Sequence, residues 1–200
     1  MNLISSINIW ERSQSLTGVC PQWKIDYLEI AKEKTKKYNR DISEIVGIKL
    51  PQPSIGLSFM NPKKVMASYD SLFQRIYLNS SKELLEYLFP ENIDSTLIHE
   101  LSHHLWRNTS RDTFITQLLT ITKTACIWQE GFAEFLQTNF FSDFVPKGMS
   151  NGLSHNKIYV EGFNRLAYVV AFKDPKEVFQ VPVKWKQFET EYQNYQKAIH

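Results

Sequence analysis

An α+β chain, with a small sheet in its first half and a mostly helical second half, is the fold class that the sequence predicts, and three observations predict it. Short runs rich in apolar and aromatic residues fall between Ile55 and Leu78, separated by turn residues. From Asp94 onward, apolar positions recur instead at helical spacing. Between the two regimes lies His99-Glu100-Leu101-Ser102-His103, an HExxH run whose histidines stand just over one helical turn apart and so project side by side.

Taken in order, Met1 to Trp10 has neither a basic start nor a long apolar run, so no classical signal peptide is expected, and residues 1–22 read as a possible N-terminal extension. Pro21 followed by Trp23, Tyr27, Leu28, Ala31 and Tyr38 predicts a first helix that ends near Asn39 and could back the sheet. Leu50-Pro51-Gln52-Pro53 then interrupts the chain. Ile55–Met60, Val65–Tyr69 and Arg75–Leu78 read as three strands, with turns at Asn61-Pro62 and Asp70-Ser71. They could form a three-stranded sheet or part of a larger mixed one. Asn92, Asp94 and Ser95 supply cap and first-turn residues for the HExxH helix, in which Leu97, Ile98, Leu101 and Leu105 fall on an arc opposite the histidines. One face can pack while the other looks into a cleft; His104 lies off that face and reads as a polar neighbour. A stretch opened by Asp112, a helix around Glu130, a segment from Ile158 to Phe172 and a last helix complete the chain. In the last helix Trp185, Phe188, Tyr192, Tyr195 and Ile199 form an apolar stripe, which either joins the core or docks on something else.

Composition suits one domain over residues 1–200. The chain is 42% hydrophobic and 14% aromatic, enough to bury a sizeable core. A net charge of +2 says little about partners; a nucleic-acid partner would usually ask for a stronger basic bias and is not expected, and Lys32, Lys34, Lys36, Lys37 and Arg40 read as the wet face of a helix. No segment approaches the roughly 20 apolar residues of a membrane span. The two cysteines, Cys20 and Cys126, make no disulfide scaffold and fit a reducing interior, so a cytoplasmic location is expected, with leaderless export left open. Oligomeric state is not readable at this level.

The chemistry points to a metal. Two histidines at i and i+4 can grip one ion, and Glu100, about a third of a turn round from His99, can act as a general base on ion-bound water without ligating. Zinc with an open position needs a third protein ligand, and Glu130 is the candidate: it lies in Trp128-Gln129-Glu130-Gly131-Phe132-Ala133-Glu134-Phe135, where a glutamate amid buried apolar residues calls for a cation. Glu134 shares its helix face and could accept the free ring N–H of a ligating histidine. Gly131 would let two helices approach closely.

His99-Glu100-x-x-His103, then Glu130, then Glu134 resembles the gluzincin group of zinc metallopeptidases, and Trp128 to Phe135 is similar to the W-x-E-G-F-A stretch of that group, in which an aspartate is common where Glu134 stands. The resemblance covers Ile55 to Tyr168, and the small size makes the minigluzincins the nearest match. It implies a zincin-like fold, Zn2+ held by His99, His103 and Glu130, Glu100 as base, and a peptide or protein as substrate. It also implies a sheet directly before the HExxH helix whose edge strand pairs with an extended peptide, although from the residues alone the strands could equally just roof the core. Endopeptidase action is expected, since the chain has no Gly-x-Met-x-Asn type segment of the kind aminopeptidases of this group use.

A donor to the developing oxyanion is needed as well. Ile158-Tyr159-Val160-Glu161-Gly162 is similar to the Y-x-K-G segment that carries such a tyrosine in the aminopeptidase branch; Tyr159 ranks first, then His155, then Tyr168, which sits in an apolar run. Cys20, in Gly18-Val19-Cys20-Pro21, is a candidate latency switch, a thiolate that could occupy the open metal position, or else an inert buried thiol. The rival function is a zinc-bound, catalytically idle domain that uses its cleft for binding; a helical protein without metal is the remaining alternative.

Overall fold

The computed structural model describes residues 21–58, 65–87, 92–110, 122–140 and 157–199. Helix α1 (Gln22–Val46) leads into strands β1 (Ser54–Ser58), β2 (Ala67–Asp70) and β3 (Arg75–Asn79). A short helix α2 (Lys82–Tyr87) precedes α3 (Ile93–Thr109), which carries the HExxH run. Then come α4 (Lys123–Asn139), α5 (Lys157–Phe172), a 3-10 turn (Pro175–Gln180) and α6 (Val181–Ile199). The chain is α+β, its second half helical in the described residues.

The sheet runs in the order β1-β3-β2, with β1 parallel and β2 antiparallel to β3. Central β3 buries Ile76 and Leu78 on one face and Arg75 and Asn79 on the other. The tight link from β2 to β3 is held by Asp70, whose carboxylate accepts from the amides of Leu72 and Phe73, and it closes at Gln74 in the left-handed region (φ 49°). Strand β2 is therefore an edge strand. Its contact with α3 hangs that edge over the HExxH helix.

One continuous cluster of buried apolar side chains runs from Ala31 on α1 through Ile76, Leu97, Leu101 and Leu105 to Phe132, Phe135 and Phe188. Trp128, Phe132 and Phe135 are fully buried, each contributing about 1.5–3 kcal/mol from apolar area removed from water. A polar clamp ties the helices: Glu189 on α6 accepts from Arg165 on α5 (2.8 and 3.3 Å) and from the indole N–H of Trp128 on α4 (2.8 Å). Among the described residues no helix is long and apolar enough to cross a membrane.

Three expectations need correction. The first helix does not end near Asn39, because Asn39 is buried and donates to the Pro51 carbonyl at 3.1 Å instead of capping. It continues to Val46 and stops at Gly47 (φ 73°), with the amides of Gly47 and Ile48 both reaching the Ser43 carbonyl, a closure that favours glycine. At the start of α3, Asn92 occupies the cap position without a capping hydrogen bond from its side chain, and Asp94 instead pairs with Lys34 of α1 at 2.7 Å. The stripe of α6 divides: Phe188 is core, Tyr192 and Tyr195 pack on Tyr168 of α5, and Ile199 is exposed. The Asn61-Pro62 turn, the stretch opened by Asp112, His155 and Cys20 with its proposed extension lie outside the described residues, apart from Pro21 and Gln22.

Candidate metal centre

Helix α3 buries Leu97, Ile98, Leu101 and Leu105 and turns His99 and His103 outward, so the two rings stand together on the cleft side, their Nε2 atoms 3.3 Å apart. Helix α4 packs across α3 and brings Glu130 to the same point. Its Oε2 lies 3.5 Å from His99 Nε2 and 3.7 Å from His103 Nε2. Three donors bound at 2.0–2.2 Å to one tetrahedral ion stand about 3.3–3.6 Å apart, so the triangle already has the size of one face of such a site. His99, His103 and Glu130 could hold a metal ion.

The hydrogen bonding fits that reading. His99 Nδ1 faces the amide oxygen of Gln137 at 3.0 Å, which places a ring proton on Nδ1 and directs Nε2 at Glu130 and His103. Donors converging at this distance could be bridged by a cation. Gln137 takes the position facing His99 that the sequence suggested for Glu134; Glu134 is fully buried, accepts from the Thr138 hydroxyl at 3.4 Å, and acts on His99 through its charge. Its spacing on α4, seven beyond Glu130 and three beyond Glu134, was the signal that could have found Gln137.

Electrostatics set the three converging donors apart from Glu100. Burial, reinforced by the neighbouring His99, holds His103 down at about 4, against the pull of Glu130, and so keeps it neutral. Burial opposes ionisation of Glu130, but the two imidazoles and the Tyr159 hydroxyl outweigh it and hold the carboxyl at about 2. At His99 burial is again the largest influence and acts downward, yet the hydrogen bond to Glu130 and the charges of Glu100, Glu130 and Glu134 raise it, so a metal ion would displace a proton there. Glu100 is not among the three converging donors. It is 6% exposed, and burial pushes it up to about 7, with Glu130 adding and His99 and the Tyr69 amide opposing.

Tyr159, in the first turn of α5, reaches the same point. Its hydroxyl donates to Glu130 and its ring lies 6.2 Å from that of His99. Two glycines make this approach possible: α4 and α5 cross at Gly131 and Gly162, where a Cβ on Gly162 would sit 2.5 Å from Gly131 Cα. Gly131 thus admits α5, a partner its sequence context left unnamed. Tyr168 is elsewhere, stacked with Phe172, Tyr192 and Tyr195.

A cleft of about 340 Å³ opens above these groups, walled by α3, by Gln129 and Glu130 of α4, and by Ala67, Ser68 and Tyr69 of β2. In the antiparallel pairing Met66 bonds Asn79 and the register alternates from there, so the main-chain groups of Ala67 and Tyr69 point away from β3. The Tyr69 amide bonds Glu100. The Tyr69 hydroxyl donates to His104 Nδ1 at 2.9 Å, while His104 Nε2–H donates to the Pro51 carbonyl at 2.8 Å. His104 is thus a strut between the edge strand, α3 and the loop before β1, as a histidine off the ligand face should be.

No protein-family model, characterised protein or solved structure matches this chain. What the site can do rests on its own geometry.

Proposed function

We propose that this chain is a zinc-dependent peptidase of gluzincin type, cutting within peptide chains, with residues 1–200 acting as one catalytic domain. One observation carries the reading: a three-donor face of metal-ion size opens into a cleft beside a buried carboxyl that does not ligate and that titrates near neutrality. Two imidazole nitrogens with one carboxylate oxygen suit zinc, whereas magnesium and calcium favour oxygen donors throughout. When bound, zinc supplies a Lewis acid that polarises a carbonyl and lowers the pKa of water toward ~7.

The remaining work falls to side chains. Glu100 takes the proton of the attacking water on one carboxylate oxygen and returns it to the leaving amine; a group poised at about 7 can serve as base and then as acid. The outward main chain of β2, apart from the Tyr69 amide that bonds Glu100, offers an extended substrate antiparallel or parallel pairing, which would align the scissile bond over the metal centre. Tyr159, whose hydroxyl donates to Glu130, would turn that one proton to the oxygen on which charge develops.

Elemental analysis of the purified protein, together with cleavage of casein or a quenched peptide with and without a chelator, tests the proposal. One zinc per chain and chelator-sensitive cleavage are expected; Glu100→Gln should keep the zinc and lose cleavage, whereas Glu130→Ala should lose both. Zinc without cleavage would leave the catalytically idle binding domain as the reading. Absence of metal would refute both.

A further inference from the structure

Arg107 has no part in the metal centre, yet it stands at its border. Positions 99, 103 and 107 of α3 are successive four-residue steps, each rising about 6 Å and drifting about 40° round the helix, so Arg107 extends the row of the two histidines along the cleft. It lines the same cavity as His99, Glu100, His103 and Glu130. Its charge is felt at the hydroxyl of Tyr69, which the edge strand contributes to the same cavity. Ser68 and Ser71 add hydroxyl donors to that wall.

We propose that Arg107 forms a carboxylate-binding subsite in this cleft, about two residues along an extended peptide from the metal centre. The spacing follows from the helix: one four-residue step is about 6 Å, and an extended chain advances about 3.3 Å per residue. The chemistry follows from the group. A guanidinium presents a planar fork of N–H donors that matches a carboxylate in bidentate fashion and stays charged at any working pH. Partial enclosure strengthens the attraction relative to water. The carboxylate can come from an aspartate or glutamate side chain or from the C-terminus of the peptide. That the selected peptide is then cut rests on the proposed function; that it is bound does not.

The test therefore reads binding. Zinc-loaded Glu100→Gln protein is titrated with fluorescein-labelled alanine hexapeptides in two matched pairs: one internal glutamate against glutamine, both amidated, and a free against an amidated C-terminus without acidic residues. The carboxylate member of one pair should bind about ten-fold more tightly or better, the size of one charge-assisted hydrogen bond. Preference within the first pair assigns the side chain as source, and within the second the C-terminus. Adding Arg107→Gln should bring the ratio to about one, and Arg107→Lys, which keeps the charge but loses the fork, should leave an intermediate ratio. Equal or absent binding of all four peptides to the parent, or a preference that survives Arg107→Gln, overturns the subsite. Should the preference hold while the wild-type chain cuts nothing, the subsite stands and the hydrolytic reading falls.

Discussion

Replacing Gly162 by alanine tests the geometry on which the whole centre depends. A Cβ at this position would run into the Ile127 carbonyl oxygen and lie 2.5 Å from Gly131 Cα and 2.7 Å from Gly131 N, where ordinary contact begins at 3.4 Å, so α4 and α5 must part by at least 0.9 Å (3.4 − 2.5). Backbone cannot turn aside as a side chain can. In an unhindered helix interior the same change would stabilise by about 1 kcal/mol, because alanine is the better helix former. Overpacking at a close crossing costs about 1–3 kcal/mol, and the departing α5 also draws the Tyr159 hydroxyl from Glu130, a charge-assisted bond worth about 1.5–3 kcal/mol. The gain is outweighed, leaving a net loss of about 1.5–5 kcal/mol. For a chain of this length that lowers Tm by about 3–20 °C. Calorimetry on Gly162→Ala and on Gly131→Ala, whose Cβ would meet the Gly162 carbonyl oxygen at 2.6 Å, should give the same sign. A Gly162→Ala protein that melts at or above the wild-type temperature would mean that the helices do not cross here, and the placement of Tyr159 would fall with it.

Other consequences can be measured in the same way. Glu189→Ala strips the partner from Arg165 and the indole of Trp128 together, and should cost about 3 kcal/mol, seen as a Tm fall of about 6–12 °C; an unchanged melt would show that the clamp does not hold α4, α5 and α6. Removing metal should lower Tm as well, since an ion at a hundred times its Kd stabilises by about 2.7 kcal/mol; identical melts with and without chelator and added zinc would speak against a site at His99, His103 and Glu130. Gln137→Leu removes the acceptor that orients His99 and should weaken zinc about 10–100-fold in a competitive chelator titration, with equal affinity refuting the orienting role. Tyr159→Phe should cut turnover by about 10²-fold while zinc content stays full; wild-type turnover would remove it as the oxyanion donor.

The sequence by itself determined those features that depend on neighbours along the chain. HExxH places two imidazoles on one face because four residues make just over one turn, and Leu97, Ile98, Leu101 and Leu105 decide which face that is. The three strands were legible from local composition, as was Glu130, because a glutamate amid buried apolar residues calls for a partner. Tertiary structure decided whatever depends on which elements meet. Nothing local shows that β2 lies at the sheet edge above α3, since strand order is set by the packing of α1, α3 and the sheet together. The stop of α1 at Gly47 was hidden because Asn39 looks like a helix end until its side chain is seen bonded to Pro51, twelve residues on. Gln137 facing His99, and Gly162 meeting Gly131 so that Tyr159 reaches Glu130, are likewise products of helix crossings. A residue's helical face follows from periodicity, but the angle and height at which two faces cross are settled only when the side chains of both are packed into one core.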